Sequence, residues 1–200
     1  MSVTDESRRA DASTHVRMSG ALVKSYLETF ERLFGDEVVR RATNELPTSL
    51  QAELEALVAA AWMPVTDVDR LFEAYAAVTN RPADELVQEV VASGHRATYG
   101  RVWKSLLRLT APKVLLTRAS TMFAKSYSHG VLTAKRSDTK FASLIRLTHW
   151  PSISDLRLLG TATGIRTVLE LTGRGGVEVS FERTPEGADF AAHWGTQRSS

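Results

Sequence analysis

In the first two-thirds of the chain, apolar side chains recur every three or four residues. The first stripe consists of Leu22, Val23, Tyr26, Leu27, Phe30, Leu33 and Phe34. This spacing predicts an amphipathic helix that begins near Ser19 and ends at Gly35. Similar stripes predict further helices as far as about Tyr127. Between two of them we interpret Trp62 to Val65 as a compact apolar turn.

In the last third of the chain, the apolar period changes from helical spacing to alternation. Alternating residues predict two strands, at 131–136 and 141–149, followed by a helix that ends near Thr172. A second pair of strands is predicted at 177–183 and 188–194, around a turn at Thr184 to Gly187. The expected buried face of the helix consists of Leu156, Leu159, Ile165, Val168 and Leu169.

These patterns predict an α+β fold in which an N-terminal helical layer packs with a four-stranded antiparallel sheet of order β-β-α-β-β. We expect a single domain over residues 17–195, mainly helical over 17–128 and β-β-α-β-β over 129–195. Residues 1–16 and 196–200 are polar and are expected to be tails. The length of 200 residues and the 43% hydrophobic content suit one globular domain. The longest apolar run is far shorter than the ~20 residues that span a bilayer.

Charge is distributed unevenly along the chain. Residues 1–94 carry a net charge of −7 and residues 95–200 carry +9, and no acidic residue occurs in the segment 90–137. Arg101, Lys104 and Arg108 recur on one predicted helix face, and Lys113 follows them. These cations could bind an anion, a protein partner or nucleic acid, or the acidic N-terminal helices could neutralise them. The chain lacks the motifs that read bases, which argues against nucleic acid.

The residue types that carry common chemistries are sparse. The absence of Cys excludes disulfides, thiol nucleophiles and Cys–zinc sites, and no two of the five His have a metal-ligand spacing. We therefore expect no enzyme activity, no metal and no cofactor. His95, in the sequence Ala-Ser-Gly-His-Arg, could be an axial haem ligand or a packed helical histidine. The lack of Cys and of a signal peptide predicts a cytoplasmic protein.

Large apolar side chains offer the other candidate site. Sequence spacing allows two interpretations of them, a hydrophobic core or the lining of a pocket for a small apolar ligand. The candidate pocket residues are Phe30, Phe72, Tyr75, Met122, Phe123 and Tyr127.

Short motifs in a fixed order connect the chain to a known family. They are Met18-Ser19-Gly20, Trp62-Met63-Pro64, Gly94-His95-Arg96-Ala97, Tyr127-Ser128-His129-Gly130 and Phe190-Ala191-Ala192-His193-Trp194. In these motifs the chain resembles DUF2378, a paralogous family of unknown function that is abundant in myxobacteria. The family supplies no activity to carry over.

The predicted C-terminal β-β-α-β-β unit is also similar to α/β ligand domains of the 4-vinyl reductase, transport-particle and haem nitric-oxide sensor types. This likeness implies a bacterial signalling module that binds a small apolar ligand or a protein partner without catalysis. The Tyr-x-Ser-x-Arg motif of the haem sensors is absent from the sequence. The chain also has no Cys, the residue that would be acylated in the lipidated transport-particle type. The alternatives are a protein–protein adaptor or homodimer, or a weak nucleic-acid binder that uses segment 90–137.

Overall fold

A computed structural model describes residues 16–99, 112–136 and 142–195 of the chain. The helices of these residues are α1 Gly20–Phe34, α2 Asp36–Asn44, α3 Thr48–Glu55, α4 Val65–Thr79, α5 Ala83–Tyr99, α6 Pro112–Ser126 and α7 Asp155–Leu171. Their strands are β1 Arg17–Ser19, β2 Trp62–Pro64, β3 Val131–Arg136, β4 Ala142–Thr148, β5 Glu178–Thr184 and β6 Gly187–His193. The predicted α+β fold, with a four-stranded antiparallel sheet in its C-terminal part, is confirmed.

The chain forms two compact units. Unit 1 runs to Val90 and includes Ser126–Ser128, and unit 2 contains Val91–Lys125 and the residues from His129 onward. That residues 17–195 make one domain stays a prediction. The predicted tails at 1–16 and 196–200 lie outside the described residues, except Val16, which is buried and accepts a hydrogen bond from the Val65 N–H at 3.0 Å. None of the helices in the described ranges is long and apolar enough to cross a membrane.

The start of α1 in unit 1 is fixed by the loop that precedes β2. Ser19 is the N-cap as expected, and its hydroxyl accepts a hydrogen bond from the Leu22 N–H at 3.4 Å. The Gly20 N–H donates to the Ala61 carbonyl at 2.7 Å, and the Ala21 N–H donates to Ala59 at 3.1 Å. The loop thus satisfies donors that the first helical turn leaves open.

A short two-stranded sheet, β1 with β2, was not predicted. Met18 pairs with Met63, and Ser19 pairs with Trp62, in antiparallel register. The expected turn at Trp62 to Val65 is therefore wrong. The segment is extended because its hydrogen-bond partner comes from the beginning of the chain, and such a distant pairing leaves no local signal in the sequence.

Unit 2 contains the four-stranded sheet, in the order β3-β4-β6-β5 with every neighbouring pair antiparallel. Along β4, Ser143, Ile145 and Leu147 are buried and alternate with half-buried residues, as the period of two predicts. Ile145 pairs with Phe190 of β6, and both are buried. Helix α7 packs on β5 and β6, so one face of this sheet carries a helix.

The orientation of α7 differs from the prediction. Ser154 caps the helix by accepting from the Arg157 N–H at 3.2 Å, but the predicted buried face is largely wrong. The fully buried residues are Arg157, Leu158, Gly160, Ala162, Thr163, Thr167 and Leu169. Of the predicted face only Leu169 is among them, and the others are half-buried. Small residues on the buried face let α7 approach its neighbours closely, and hydrophobicity alone does not reveal such a face.

Candidate ligand-binding site

Helices α1 and α4 of unit 1 bring four aromatic rings together. Tyr26 and Phe30 are one turn apart on α1, and Phe72 and Tyr75 are three residues apart on α4, so each pair shares a helix face. The ring centroids of Phe30 and Phe72 are 5.1 Å apart, and those of Tyr26 and Phe72 are 5.4 Å apart. We call these four residues the aromatic cluster.

One pair in the aromatic cluster has an unfavourable geometry. The rings of Phe30 and Tyr75 lie face to face, with centroids 3.6 Å apart and planes 4° from parallel. Ring faces carry like partial charge, so offset or edge-to-face arrangements are preferred over this sandwich. The pair of Tyr26 and Phe72, at 77°, has the preferred edge-to-face geometry. The sandwich is thus a local feature of Tyr75 and Phe30.

The hydroxyl of Tyr75 is buried and has no hydrogen-bond partner among the described residues. The side chain is 0% exposed, and no group in the described part of the chain hydrogen-bonds with its Oη atom. An unsatisfied buried hydroxyl of this kind costs about 1–3 kcal/mol of stability. The backbone carbonyl of Tyr75, in contrast, accepts from the Thr79 hydroxyl at 2.6 Å. The aromatic cluster therefore contains a hydroxyl that the described residues leave unsatisfied.

The electrostatic surroundings keep this hydroxyl protonated. Burial raises the pKa of Tyr75 above its ordinary value, and the nearby negative charge of Glu31 raises this pKa further. The phenol therefore stays neutral at any physiological pH. Neutral phenol retains its O–H, so Tyr75 can donate a hydrogen bond.

Phe34 extends the aromatic row towards the surface of unit 1. Its ring is half-buried and lies 6.2 Å from that of Phe30. The guanidinium of Arg81 lies over the Phe34 ring at 5.9 Å, and it also bonds with the Glu89 carboxylate at 2.7 Å. Phe34 and Arg81 thus form the outer end of a row of rings that leads to the aromatic cluster.

The six predicted pocket residues are divided between the two units. Phe30, Phe72 and Tyr75 meet in the aromatic cluster, as the preceding distances show, and Tyr127 lies in unit 1, bridged to Met18 of β1. Phe123 belongs to unit 2, where it is buried 6.4 Å from the Trp150 ring. Met122, also in unit 2, is 47% exposed. That all six line one pocket stays a prediction.

Tyr26 lies one turn before Phe30 on the same predicted stripe, and the sequence spacing already allowed it a place in the core or in a pocket. One residue near Tyr75 was not expected from the sequence. Glu31 follows Phe30 directly on the exposed side of α1, and no sequence pattern connects it with Tyr75.

The predicted basic patch falls mainly outside the described residues. Arg101, Lys104 and Arg108 all lie in the range 100–111, and Lys113 is the second residue of α6. A binding role for these cations stays a prediction.

His95 lies on the part of α5 that belongs to unit 2. Its Nδ1–H donates to the Val91 carbonyl at 2.8 Å, which leaves the lone pair on Nε2 in the neutral ring. Burial lowers the pKa of His95, and the bond to Val91 opposes this shift in part. A methyl group placed on Gly164 of α7 would lie 3.4 Å from Nε2, so the imidazole packs closely against this glycine. Among the residues of the described ranges, no group of three His, Asp or Glu could hold a metal ion.

Comparison with solved structures shows the fold of this chain. An unliganded Fe(II) H-NOX protein from K. algicida matches it with a TM-score of 0.66 and 12% identity, covering 90% of this chain and 97% of that one. The H-NOX of T. tengcongensis matches with a TM-score of 0.62 and 15% identity, covering 90% and 99%.

An oxygen-binding H-NOX domain related to soluble guanylate cyclases, in its oxygen complex, matches with a TM-score of 0.61 and 14% identity, covering 90% and 96%. No protein-family model and no curated protein matches the chain. At these identities the likeness establishes an H-NOX-like fold.

Proposed function

We propose that this chain is a non-catalytic ligand-binding module of bacterial signalling, and that the aromatic cluster of unit 1 takes a small apolar ligand. The observation that carries the proposal is the hydroxyl of Tyr75, a fully buried residue of the aromatic cluster, for which the described residues provide no hydrogen-bond partner. The H-NOX-like fold supports it, because one structural neighbour is described as an oxygen-binding domain.

Two unfavourable features coincide on Tyr75, its unsatisfied hydroxyl and its face-to-face stack on Phe30. Natural proteins tend to break local packing rules at functional sites, where the cost in stability is offset elsewhere. A ligand that enters the cluster would relieve the stack and satisfy the hydroxyl. A cluster that served stability alone would gain from Phe at position 75.

The iron of the Fe(II) H-NOX neighbour raises the question of haem in this chain. A metal bound to Nε2 of His95 would lie about 2 Å from that atom. The nearest carbon atoms of α7 would then have to lie roughly 3.5 Å beyond the metal. At Gly164, however, even a methyl group would already lie 3.4 Å from Nε2. A haem therefore does not fit between His95 and α7, and the haem-sensor motif is absent from the sequence. We propose that the ligand is not haem.

The finer predictions from sequence remain part of this proposal. They are membership of the DUF2378 family, a cytoplasmic location and the lack of enzyme activity. Contact with a protein partner through segment 90–137, or formation of a homodimer, also stays a prediction.

Native mass spectrometry tests the proposed function. Protein purified without added ligand should carry a small-molecule mass that organic extraction removes. Phe72→Leu in the cluster should lower the occupied fraction, whereas Phe190→Leu in unit 2 is the matched control and should not, because both rings are fully buried. A bound mass that Phe72→Leu leaves unchanged would contradict the proposal, and so would a strictly ligand-free mass.

A further inference from the structure

We infer that the ligand of the aromatic cluster is a small, flat, neutral molecule with one accepting oxygen, of carbonyl or ether type, which receives a hydrogen bond from the Tyr75 hydroxyl. This inference rests on the proposed function and adds the chemical class of the ligand. It follows from the polarity of the hydroxyl, the cost of burying a charge in the cluster and the close contact of the rings.

The polarity of the Tyr75 hydroxyl favours an accepting ligand. The oxygen lone pair of a phenol is delocalised into the ring, so the group is stronger as a donor than as an acceptor. No protein acceptor receives this proton among the described residues. In an apolar site a hydrogen bond to such a donor is not weakened by competing water. An accepting oxygen on the ligand would therefore complete the site.

The cost of burying a charge favours a neutral ligand. Glu31 places a negative charge near Tyr75, and this charge disfavours an anionic ligand. Burying an unpaired ion among aromatic rings is also far more costly than burying a neutral oxygen.

The geometry of the rings favours a thin ligand. The cluster presents ring faces and edges from α1 and α4, and the Phe30 and Tyr75 rings are already in contact. A flat molecule can replace one of these ring faces with its own and needs the smallest displacement of the two helices. Bulky or branched molecules would have to separate α1 from α4.

Two isosteric probes separate this inference from the proposed function. Acetophenone has an accepting carbonyl, and α-methylstyrene has a methylene group at the same position. We expect Tyr75→Phe to weaken acetophenone binding roughly three- to tenfold, the usual range for one hydrogen bond, and to leave α-methylstyrene binding unchanged. Thr167→Val removes a buried hydroxyl of unit 2, outside the cluster, and should leave both affinities unchanged. Calorimetric titration of the full chain measures the affinity of each probe for the wild type and for each variant.

Each outcome has a distinct meaning. If neither neutral probe binds the wild type, both the proposed function and the inference fail. If both probes bind and Tyr75→Phe changes their affinities equally, the site stands and the inference is overturned. If the anion benzoate binds as tightly as acetophenone, the inference that the ligand is neutral is overturned. Should Tyr75→Phe not fold, the infrared carbonyl stretch of acetophenone in the wild type decides, because an unshifted band overturns the hydrogen bond.

Discussion

Threonine hydroxyls of unit 2 and the Tyr75 hydroxyl of unit 1 differ in their hydrogen bonding. The hydroxyls of Thr161 and Thr167 on α7 donate to the carbonyls four residues earlier, each at 2.8 Å, and the hydroxyl of Thr172, just after α7, donates to the Leu169 carbonyl at 2.5 Å. In unit 1, the described residues offer the Tyr75 hydroxyl no partner. Unit 2 thus satisfies these donors locally, whereas the Tyr75 donor of unit 1 lacks a partner among the described residues. Under the proposed function, unit 1 provides the binding site and unit 2 is the scaffold.

Ion pairs connect several elements of unit 2. Arg146 of β4 forms a bidentate pair with Asp189 of β6, with both N–O distances at 2.7 Å. Arg183 of β5 bonds with Asp155 at the start of α7, with a shortest distance of 2.7 Å. These exposed or partly exposed pairs connect β4 with β6 and β5 with α7, and each contributes little stability.

The largest expected effect comes from removing a ring from either core. Phe30→Ala in unit 1 and Phe190→Ala in unit 2 should each lower the free energy of unfolding by roughly 3–5 kcal/mol, because both rings are fully buried. Urea unfolding measures this loss. The comparison predicts that only Phe30→Ala also alters acetophenone binding. Equal effects of the two variants on binding would remove the distinction between the units.

A smaller effect, of opposite sign in the two units, comes from removing one hydroxyl. Tyr75→Phe should raise the free energy of unfolding by about 1 kcal/mol, because it removes an unsatisfied buried group. Thr167→Val should lower the free energy of unfolding by about 1 kcal/mol, because it removes the hydrogen bond that the wild-type hydroxyl donates to the Thr163 carbonyl. Thermal or urea unfolding of the ligand-free protein checks both signs. A loss of stability in Tyr75→Phe would show that this hydroxyl is satisfied.

The smallest expected effects are losses of folding stability that depend on pH, one at low pH and one at high pH. Because the pKa of His95 in unit 2 is lowered, only the unfolded chain takes its proton as the pH falls below about 6.5, and stability then falls. Because the pKa of Tyr75 in unit 1 is raised, stability falls as the pH rises above about 10. Unfolding titrations of wild type against His95→Gln and Tyr75→Phe isolate each contribution. An unchanged pH profile in either variant would contradict the corresponding shift.

Sequence patterns predicted the parts of the fold that depend on local periodicity. The start of α1 at Ser19 and its end at Gly35 follow from a capping residue and from a glycine with positive φ. The predicted strand at 131–136 coincides with β3. The β1–β2 pairing and the buried face of α7 were missed, because the first depends on a distant partner and the second on small residues that allow close packing.

The candidate site could be predicted only in part. Helical spacing placed Phe30, Phe72 and Tyr75 on inward faces, and the structure brings these three together. Whether a buried tyrosine hydroxyl finds a partner depends on every neighbouring atom in three dimensions, and no sequence pattern encodes it. The same limit applies to Glu31, whose effect on Tyr75 depends on how α1 packs against α4.

The infrared carbonyl stretch of bound acetophenone tests the central claim most directly. A hydrogen bond from Tyr75 lengthens the carbonyl bond, so the band of the wild-type complex should lie at lower frequency than that of acetophenone in hexane. In Tyr75→Phe the band should return towards its hexane position, and in Thr167→Val of unit 2 it should stay shifted. The same band position in the wild type and in Tyr75→Phe would contradict the account.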